Sequence, residues 1–220
     1  HGRILDPACG SGGMFFQSAD FVQRSSANPD NISVYGIEKE GETVKLARMN
    51  MFLHGLNNHI VHGNSYYSDP HNSYGSFDFV MANPPFNGDD VSYDKVKDDR
   101  RFNEYGIPKN KTKSKNKDSE TVPNANYLWI NQFATALNDT GRAALVMASI
   151  ATDAGKSEAE IRARLVEDGI VSAMLSLPSN MFYSVTLPAT LWFFDKARRD
   201  DKRVLFINAR NTYRQVDRAH

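Results

Sequence analysis

Asn83-Pro84-Pro85-Phe86 is the stretch of this 220-residue chain best equipped for chemistry. Neither proline donates a backbone hydrogen bond and each fixes its own φ, so the tetrapeptide makes a stiff corner. The corner presents an amide side chain, exposed carbonyls and an aromatic face. Acceptors beside a stacking plate suit the gripping of an exocyclic amino group on a planar ring. The same residues are also compatible with a Pro-rich turn that closes a strand and does nothing more.

A second candidate is Asp6-Pro7-Ala8-Cys9-Gly10-Ser11-Gly12-Gly13. Its glycines let the backbone turn tightly and approach a ligand, with a helix amino terminus beyond. Glu38 ends the next strand, where a carboxylate accepts hydrogen bonds from both ribose hydroxyls of an adenosine-containing ligand. The alternative is a solvated residue at the head of the acidic run Glu38-Lys39-Glu40. The glycines do not follow G-x-G-x-x-G, since Phe15 stands where the third would belong, and no G-x-x-x-x-G-K-[ST] loop occurs. S-adenosylmethionine carries a ribose but no pyrophosphate, and it fits this loop better than a dinucleotide. Asn64 follows a third strand and is placed either to hydrogen-bond the adenine edge or simply to form the turn Gly63-Asn64.

The elements that must position these groups alternate short apolar runs with amphipathic stretches, the pattern of a Rossmann-like, doubly wound, mostly parallel α/β sheet. Strands are expected at Arg3 to Leu5, Ile32 to Ile37, Ile60-Val61, Phe77 to Ala82, Gly141 to Ala148 and Ile170 to Leu177. Helices are expected from about Met14 to Arg24, Gly41 to His54 and Glu158 to Glu167, with helical signals resuming at Asn124. In the second helix Val44, Leu46, Ala47 and Met51 lie near a helical period. Residues 87–123 read as a long irregular region. Thr190 to Phe194 and Val204 to Ile207, separated by the charged turn Asp195 to Arg203, suggest an antiparallel hairpin at the sheet's edge. Residues 1–210 read as one catalytic domain and 211–220 as the start of a carboxy-terminal extension. The abrupt start inside a strand suggests a fragment cut from a longer protein.

Composition is that of a globular domain with a real core: 40% hydrophobic, 24% charged, net charge zero. No global cationic field announces nucleic acid, so any such contact needs a local patch or a partner subunit. The single cysteine, Cys9, excludes an internal disulfide and suits a reducing cytoplasm. No stretch approaches the roughly 18 apolar residues of a membrane span.

With glycine loop, acid and Asn-Pro-Pro-Phe in this order, the chain resembles amino-group DNA methyltransferases. It is most similar to the modification (M) subunit of type I restriction–modification systems. The carrying stretches are DPACGSGGMF, GIEKE, Met49 to Gly55, FDFVMANPPFN, GRAALVM and LPSNMFYSVTLPATLWFF. The resemblance implies an adenine-N6 DNA methyltransferase fed by S-adenosylmethionine, with no metal. It places Asp6, Ala8, Gly10, Ser11, Gly12, Gly13 and Glu38 in the cofactor site, with Asn64 near the adenine. Asn83 and the Pro84 carbonyl, on the corner completed by Pro85, would hold the target amine. Phe86 would pack on the flipped base, and a second aromatic, Phe182 or Tyr183, would assist, unless both serve core packing. The implied partners are double-stranded DNA, a specificity (S) subunit, a restriction (R) subunit and a second M subunit. Family members carry segments ahead of the first strand that help close the cofactor pocket.

Rival readings are a methyltransferase for a protein glutamine amide or an rRNA base, and a non-catalytic cofactor-binding scaffold within a DNA-binding assembly. Phe86 and the DPACGSGG loop argue against the glutamine enzymes, which usually carry Tyr at the last corner position. His54, His59 and His62 straddle a helix end and a strand without a partnering carboxylate motif, so no metal site is expected there. Lys109, Lys111, Lys113, Lys115 and Lys117 form either a track for DNA phosphates or a solvated loop.

Overall fold

In a computed structural model, residues 2–25, 32–109, 120–182, 186–198 and 200–214 are described. β1 (Gly2–Asp6), β2 (Ile32–Glu38), β3 (Asn58–His62) and β4 (Phe77–Ala82) are the first four strands. Helices α1 (Gly13–Arg24) and α2 (Gly41–Leu53) connect β1 to β2 and β2 to β3. Between β4 and the next long strand lie a two-stranded ribbon, β5 (Val91–Ser92) with β6 (Thr121–Val122), and two short helices, α3 (Tyr93–Val96) and α4 (Arg100–Asn103). α5 (Asn126–Ala136) leads into β7 (Leu137–Ala148), and α6 (Ser157–Glu167) into β8 (Val171–Ser176). β9 (Ala189–Asp195) and β10 (Leu205–Asn208) complete the set.

The main sheet has the order β10-β8-β9-β7-β4-β1-β2-β3. All neighbours are parallel except β9, which runs antiparallel to both β7 and β8. The expected edge hairpin is therefore wrong: β10 pairs with β8, in parallel, at Leu205↔Ala173 to Asn208↔Ser176. Both hydrogen-bonding edges of β9 are already taken, so β10 has no edge of β9 to join.

Adjacent side chains point to opposite faces of a strand, and both faces are covered. Ile4 packs with α1 and α2 residues Phe15, Ala19, Val44, Ala47 and Met51, whereas Leu5 joins Tyr127, Phe133, Ile161 and Leu165 from α5 and α6. In α2 the buried face is Val44, Ala47 and Met51, a true helical spacing, and Leu46 is exposed. α5 is buried along its whole length, including the polar residues Asn126, Asn131, Gln132 and Thr135. Residues 91–128 carry a third cluster of their own: Val91, Val96, Phe102, Ile107, Val122, Ala125 and Leu128.

The sheet order reverses at β1, which pairs with β2 on one side and β4 on the other. In open α/β sheets ligands bind at the carboxyl ends of strands at such a switch point. The glycine loop leaves β1 there, and the Asn83–Phe86 corner leaves β4 beside it.

Candidate active site

At the end of β1, Asp6 is buried and its Oδ1 accepts the Ala8 N–H at 2.9 Å. Burial pushes its pKa up to about 7; the Ala8 N–H works against this and the Glu38 charge adds to it. Gly10 (φ +54°) and Gly12 (φ +85°) take the left-handed turn that favours glycine. A Cβ on Gly12 would also stand 2.8 Å from Met51 Cε. The loop is tied down by Cys9 N–H to Ile37 O (3.0 Å), Gly12 N–H to Cys9 O (2.8 Å) and Asn50 Nδ2 to Ser11 O (2.9 Å). Ala8, Ser11 and Gly13 are half-buried along it. Burial drives the Cys9 thiol far above its ordinary range, so this cysteine is an inert packing group.

Glu38 sits at the carboxyl end of β2. One carboxylate oxygen accepts the Gly10 N–H (3.0 Å) and the other the Glu40 N–H (2.8 Å). Each oxygen keeps a further lone pair, enough for two hydroxyl donors side by side. Glu38 is thus a fixed, backbone-braced acceptor rather than a free surface acid.

Glu38 opens onto a cavity of about 450 Å³ lined also by Asn64, Tyr66, Trp129 and Pro85; the loop contributes Pro7 and Ala8, whereas Asp6, Gly10, Ser11, Gly12 and Gly13 are not in the lining. Asn64 is both turn residue and cavity wall: its Oδ1 accepts the Tyr66 N–H (3.0 Å) and its carbonyl those of Tyr67 and Ser68. Its Nδ2 has no partner among the described residues. Glu40, Asp89 and Asp90 join Glu38 in the lining against one cation, Lys39. Such a rim attracts a cation and repels a pyrophosphate, so the residues present fit a sulfonium nucleoside better than a dinucleotide. The Tyr66 hydroxyl and the Trp129 indole N–H are buried in the same wall without a well-formed hydrogen bond, and burial raises the Tyr66 phenol above its ordinary range.

At the neighbouring corner Pro84 is buried, Pro85 is exposed and shared with the cavity, and Phe86 is half-buried against the main core. Asn83 is exposed, and its side chain makes no hydrogen bond among the described residues. Phe182 is half-buried beyond the end of β8 and is not part of the cavity lining, while Tyr183 lies outside the described residues. The three histidines are engaged separately. His54 stacks on Phe16 (4.7 Å) and His59 on Tyr35 (4.5 Å), and His62 Nε2 lies 2.8 Å from Lys39 O. Lys109 is exposed, and the other lysines of its run lie outside the described residues.

The family model of the N-6 DNA methylases matches residues 1–220. The chain belongs to the N-6 DNA methylase family. It is 36% identical, over 99% of its length, to the methylase subunit of a type I restriction enzyme, MjaIX, from Methanocaldococcus jannaschii. It is 33% identical over 99% of its length to the HindI methylase subunit from Haemophilus influenzae. It spans 38% and 46% of those two proteins, less than half of each. The solved methyltransferase subunit of a type I restriction–modification system from Streptococcus thermophilus superposes with a TM-score of 0.84 at 25% identity, over 98% of this chain and 44% of that one.

Several residues at the site escape sequence reasoning. Asn50 is apparent from sequence only as part of a motif, yet it holds the glycine loop. Tyr66 and Trp129 line the cavity, and no motif marks either of them. Arg101 is 3% exposed, although arginine is rarely buried. Its Nη1 donates to Ser65 O (3.0 Å) and Ser68 O (3.2 Å), and its Nη2 meets Asp99 Oδ2 at 2.7 Å. Burial opposes ionisation of Asp99, but the Arg101 side chain and N–H outweigh it and hold the carboxyl below its ordinary range. Arg101 therefore fixes the cavity wall that follows Asn64. No local spacing announces that contact.

Proposed function

We propose that these residues form the methyl-transfer site of an adenine-N6 DNA methyltransferase acting as the M subunit of a type I restriction–modification complex. The observation that carries the reading is the meeting of two sites at adjacent strand ends. Pro85 belongs both to the Asn-Pro-Pro-Phe corner and to the acid-lined cavity that Glu38 opens onto.

In this reading Glu38 accepts the ribose hydroxyls, Asn64 meets the adenine, and Asp6, Ala8, Gly10, Ser11, Gly12 and Gly13 shape the methionine end. S-adenosylmethionine, when bound, supplies an electrophilic methyl group on a positively charged sulfur. Asn83 Oδ1 and the Pro84 carbonyl accept hydrogen bonds from the target amine. An adenine N6 lone pair is delocalised into the ring and is a poor nucleophile. Two acceptors favour a pyramidal nitrogen and redirect that lone pair outward. They bind charge that develops only as the bond forms, which lowers the barrier rather than deepening the ground state. A base inside a duplex cannot reach the corner, so the target is flipped out, with Phe86 and Phe182 or Tyr183 replacing lost stacking.

Residues 1–210 constitute the catalytic domain, and 211–220, of which 215–220 lie outside the described residues, begin an extension. The intact protein works in the cytoplasm with DNA, an S subunit that reads sequence, an R subunit and a second M subunit. No helix among the described residues is long and apolar enough to cross a membrane. The test uses the full-length protein with its specificity partner and radiolabelled S-adenosylmethionine. Label is expected on adenine N6 of duplex DNA, and Asn83→Ala should lower it by about 10²-fold or more. Label on a protein glutamine or on rRNA would overturn the substrate assignment. Calorimetric affinity unchanged in Glu38→Ala would overturn the ribose assignment.

A further inference from the structure

The Asn83–Phe86 corner is exposed at its reactive residue, and its two prolines donate no backbone hydrogen bonds. What holds its downstream end lies far away in the chain. Asn87, the next residue, takes a left-handed backbone (φ +54°), which asparagine tolerates better than most residues. Asn126, 2% exposed and the first residue of α5, grips it at two points. Its Oδ1 accepts the Asn87 N–H at 2.8 Å and its Nδ2 donates to Asn87 Oδ1 at 2.9 Å.

Two further contacts support the grip. Asn124 donates to the same Asn87 Oδ1 at 3.3 Å, and its own Oδ1 accepts the Asn126 N–H at 2.8 Å. The Ala125 N–H donates to Gly88 O at 2.8 Å. Residues 124–126 thus hold 87–88 through a closed set of neutral amide bonds. The anchor behind them is α5, every residue of which is buried. An exposed corner is fastened to a helix buried along its whole length.

We propose that Asn126 is a positioning residue for methyl transfer, fixing the Asn83–Phe86 corner through Asn87. The proposal rests on the reading of that corner as the holder of the target amine. Transfer between aligned atoms is sensitive to displacement, and a misplacement of about 1 Å costs on the order of 10²-fold in rate. Asn126 is not among the residues lining the cavity, so its loss should appear in the chemical step and not in cofactor affinity.

The experiment compares single-turnover methylation, calorimetric affinity for S-adenosylmethionine and the fluorescence of a 2-aminopurine at the target position, in the full-length protein with its specificity partner. Asn126→Ala is expected to slow transfer by about 10–10²-fold, with cofactor affinity unchanged within about twofold and a weaker flipped-base signal. Asn126→Asp keeps the acceptor for the Asn87 N–H but sets a carboxylate against Asn87 Oδ1. Its defect should shrink in an Asn87→Gly background, where φ is still permitted and the opposing oxygen is gone. This second pair remains informative if Asn126→Ala fails to fold. A wild-type transfer rate in Asn126→Ala, or strictly additive effects of Asn126→Asp and Asn87→Gly, would overturn the clamp while a dead Asn83→Ala left the corner intact. Full transfer by Asn83→Ala would instead remove the reading of the corner and the clamp with it.

Discussion

The two walls of the cavity are built by different means. The wall at the ends of β1 and β2 rests on regular structure, with α1 and α2 packed behind it in an apolar cluster that includes Ile4, Phe15, Val34, Val44, Ala47 and Met51. Its ligand-facing groups are backbone turns and one braced acid, Glu38. The described residues of the other wall, 64–69, 87–109 and 120–129, form only short elements and the start of α5, over a small cluster of their own. This wall is held together by buried polar side chains, Arg101 to Ser65 and Ser68 and Asn126 to Asn87, and tied to the rest of α5 by Asn131 Nδ2 to Phe102 O (2.9 Å) and Gly106 O (2.7 Å). Apolar packing tolerates small shifts, whereas a buried polar bond fixes direction and is costly to leave half-made. In the proposed reading the regular wall receives the cofactor. The irregular wall sets where the corner stands relative to it.

If that contrast is right, the largest effect of a single change outside the corner should come from the irregular wall. Arg101→Ala removes the guanidinium from Asp99, which keeps only the residue-101 N–H, and from the Ser65 and Ser68 carbonyls. Breaking such an arrangement costs about 3–5 kcal/mol. Chemical denaturation should show a loss in that range, with weakened cofactor binding because the Ser65–Ser68 wall loosens. A loss of a few tenths of a kcal/mol would mean that the third cluster alone holds this wall, and the contrast would fail.

The matching change in the regular wall is Gly12→Ala. Here the cost is backbone strain at φ +85° and a Cβ 2.8 Å from Met51 Cε, the movable end of a flexible side chain. A loss of about 1–3 kcal/mol is expected, smaller than for Arg101→Ala. A Met51→Leu background, which removes the Cε contact, should recover only part of it. Full recovery would show that contact, not backbone conformation, sets the glycine requirement.

The same contrast explains what was legible in the sequence. Asp6 to Gly13, Glu38 and Asn83 to Phe86 each stand at a strand end, and local chemistry marks them without knowledge of the rest of the chain. Ser65 and Arg101 are 36 positions apart and Asn87 and Asn126 are 39 apart. Nothing in the periodicity near either member points to the other, so residues 87–123 read only as a long loop. The misplaced hairpin has a similar cause. A short separation between β9 and β10 suggested pairing, but Ala189–Asp195 is an apolar run with burial on both faces, the mark of an interior strand. Leu46 is apolar and lies near the same period, but 44, 47 and 51 complete the buried face of α2 without it.

Asp6 tests the electrostatics of the regular wall. Its folded-state pKa of about 7 lies above the ordinary carboxyl value of 3.8, so the folded protein holds this proton more tightly than the unfolded chain does. Its contribution is therefore fully favourable only below about pH 4 and is lost as pH rises towards 7. A sulfonium nearby favours the ionised form. Affinity for S-adenosylmethionine should rise with pH between about 6 and 8, by no more than tenfold per unit, with proton release on binding. Asp6→Asn keeps an acceptor for the Ala8 N–H and should flatten that slope. A slope unchanged in Asp6→Asn would assign it to another group.

The smallest effect expected is the most local reading of the irregular wall. Trp129 and Trp192 are the only tryptophans, and both are buried. Trp129 lines the cavity beside Glu38 and Pro85, whereas Trp192 lies between β7 and β8 and lines a separate groove with Met174, Val204 and Phe206. S-adenosylmethionine should change the fluorescence of Trp129 and leave that of Trp192 unaltered, so the signal should vanish in Trp129→Phe and persist in Trp192→Phe. Trp129→Phe keeps most of the aromatic surface and removes one N–H that has no well-formed partner in the protein. If that N–H serves the ligand, affinity should fall by about 0.5–1.5 kcal/mol. An unchanged affinity with a lost signal would leave Trp129 as a wall without a bond. The directional role of the irregular wall would then rest on Arg101 and Asn126 alone.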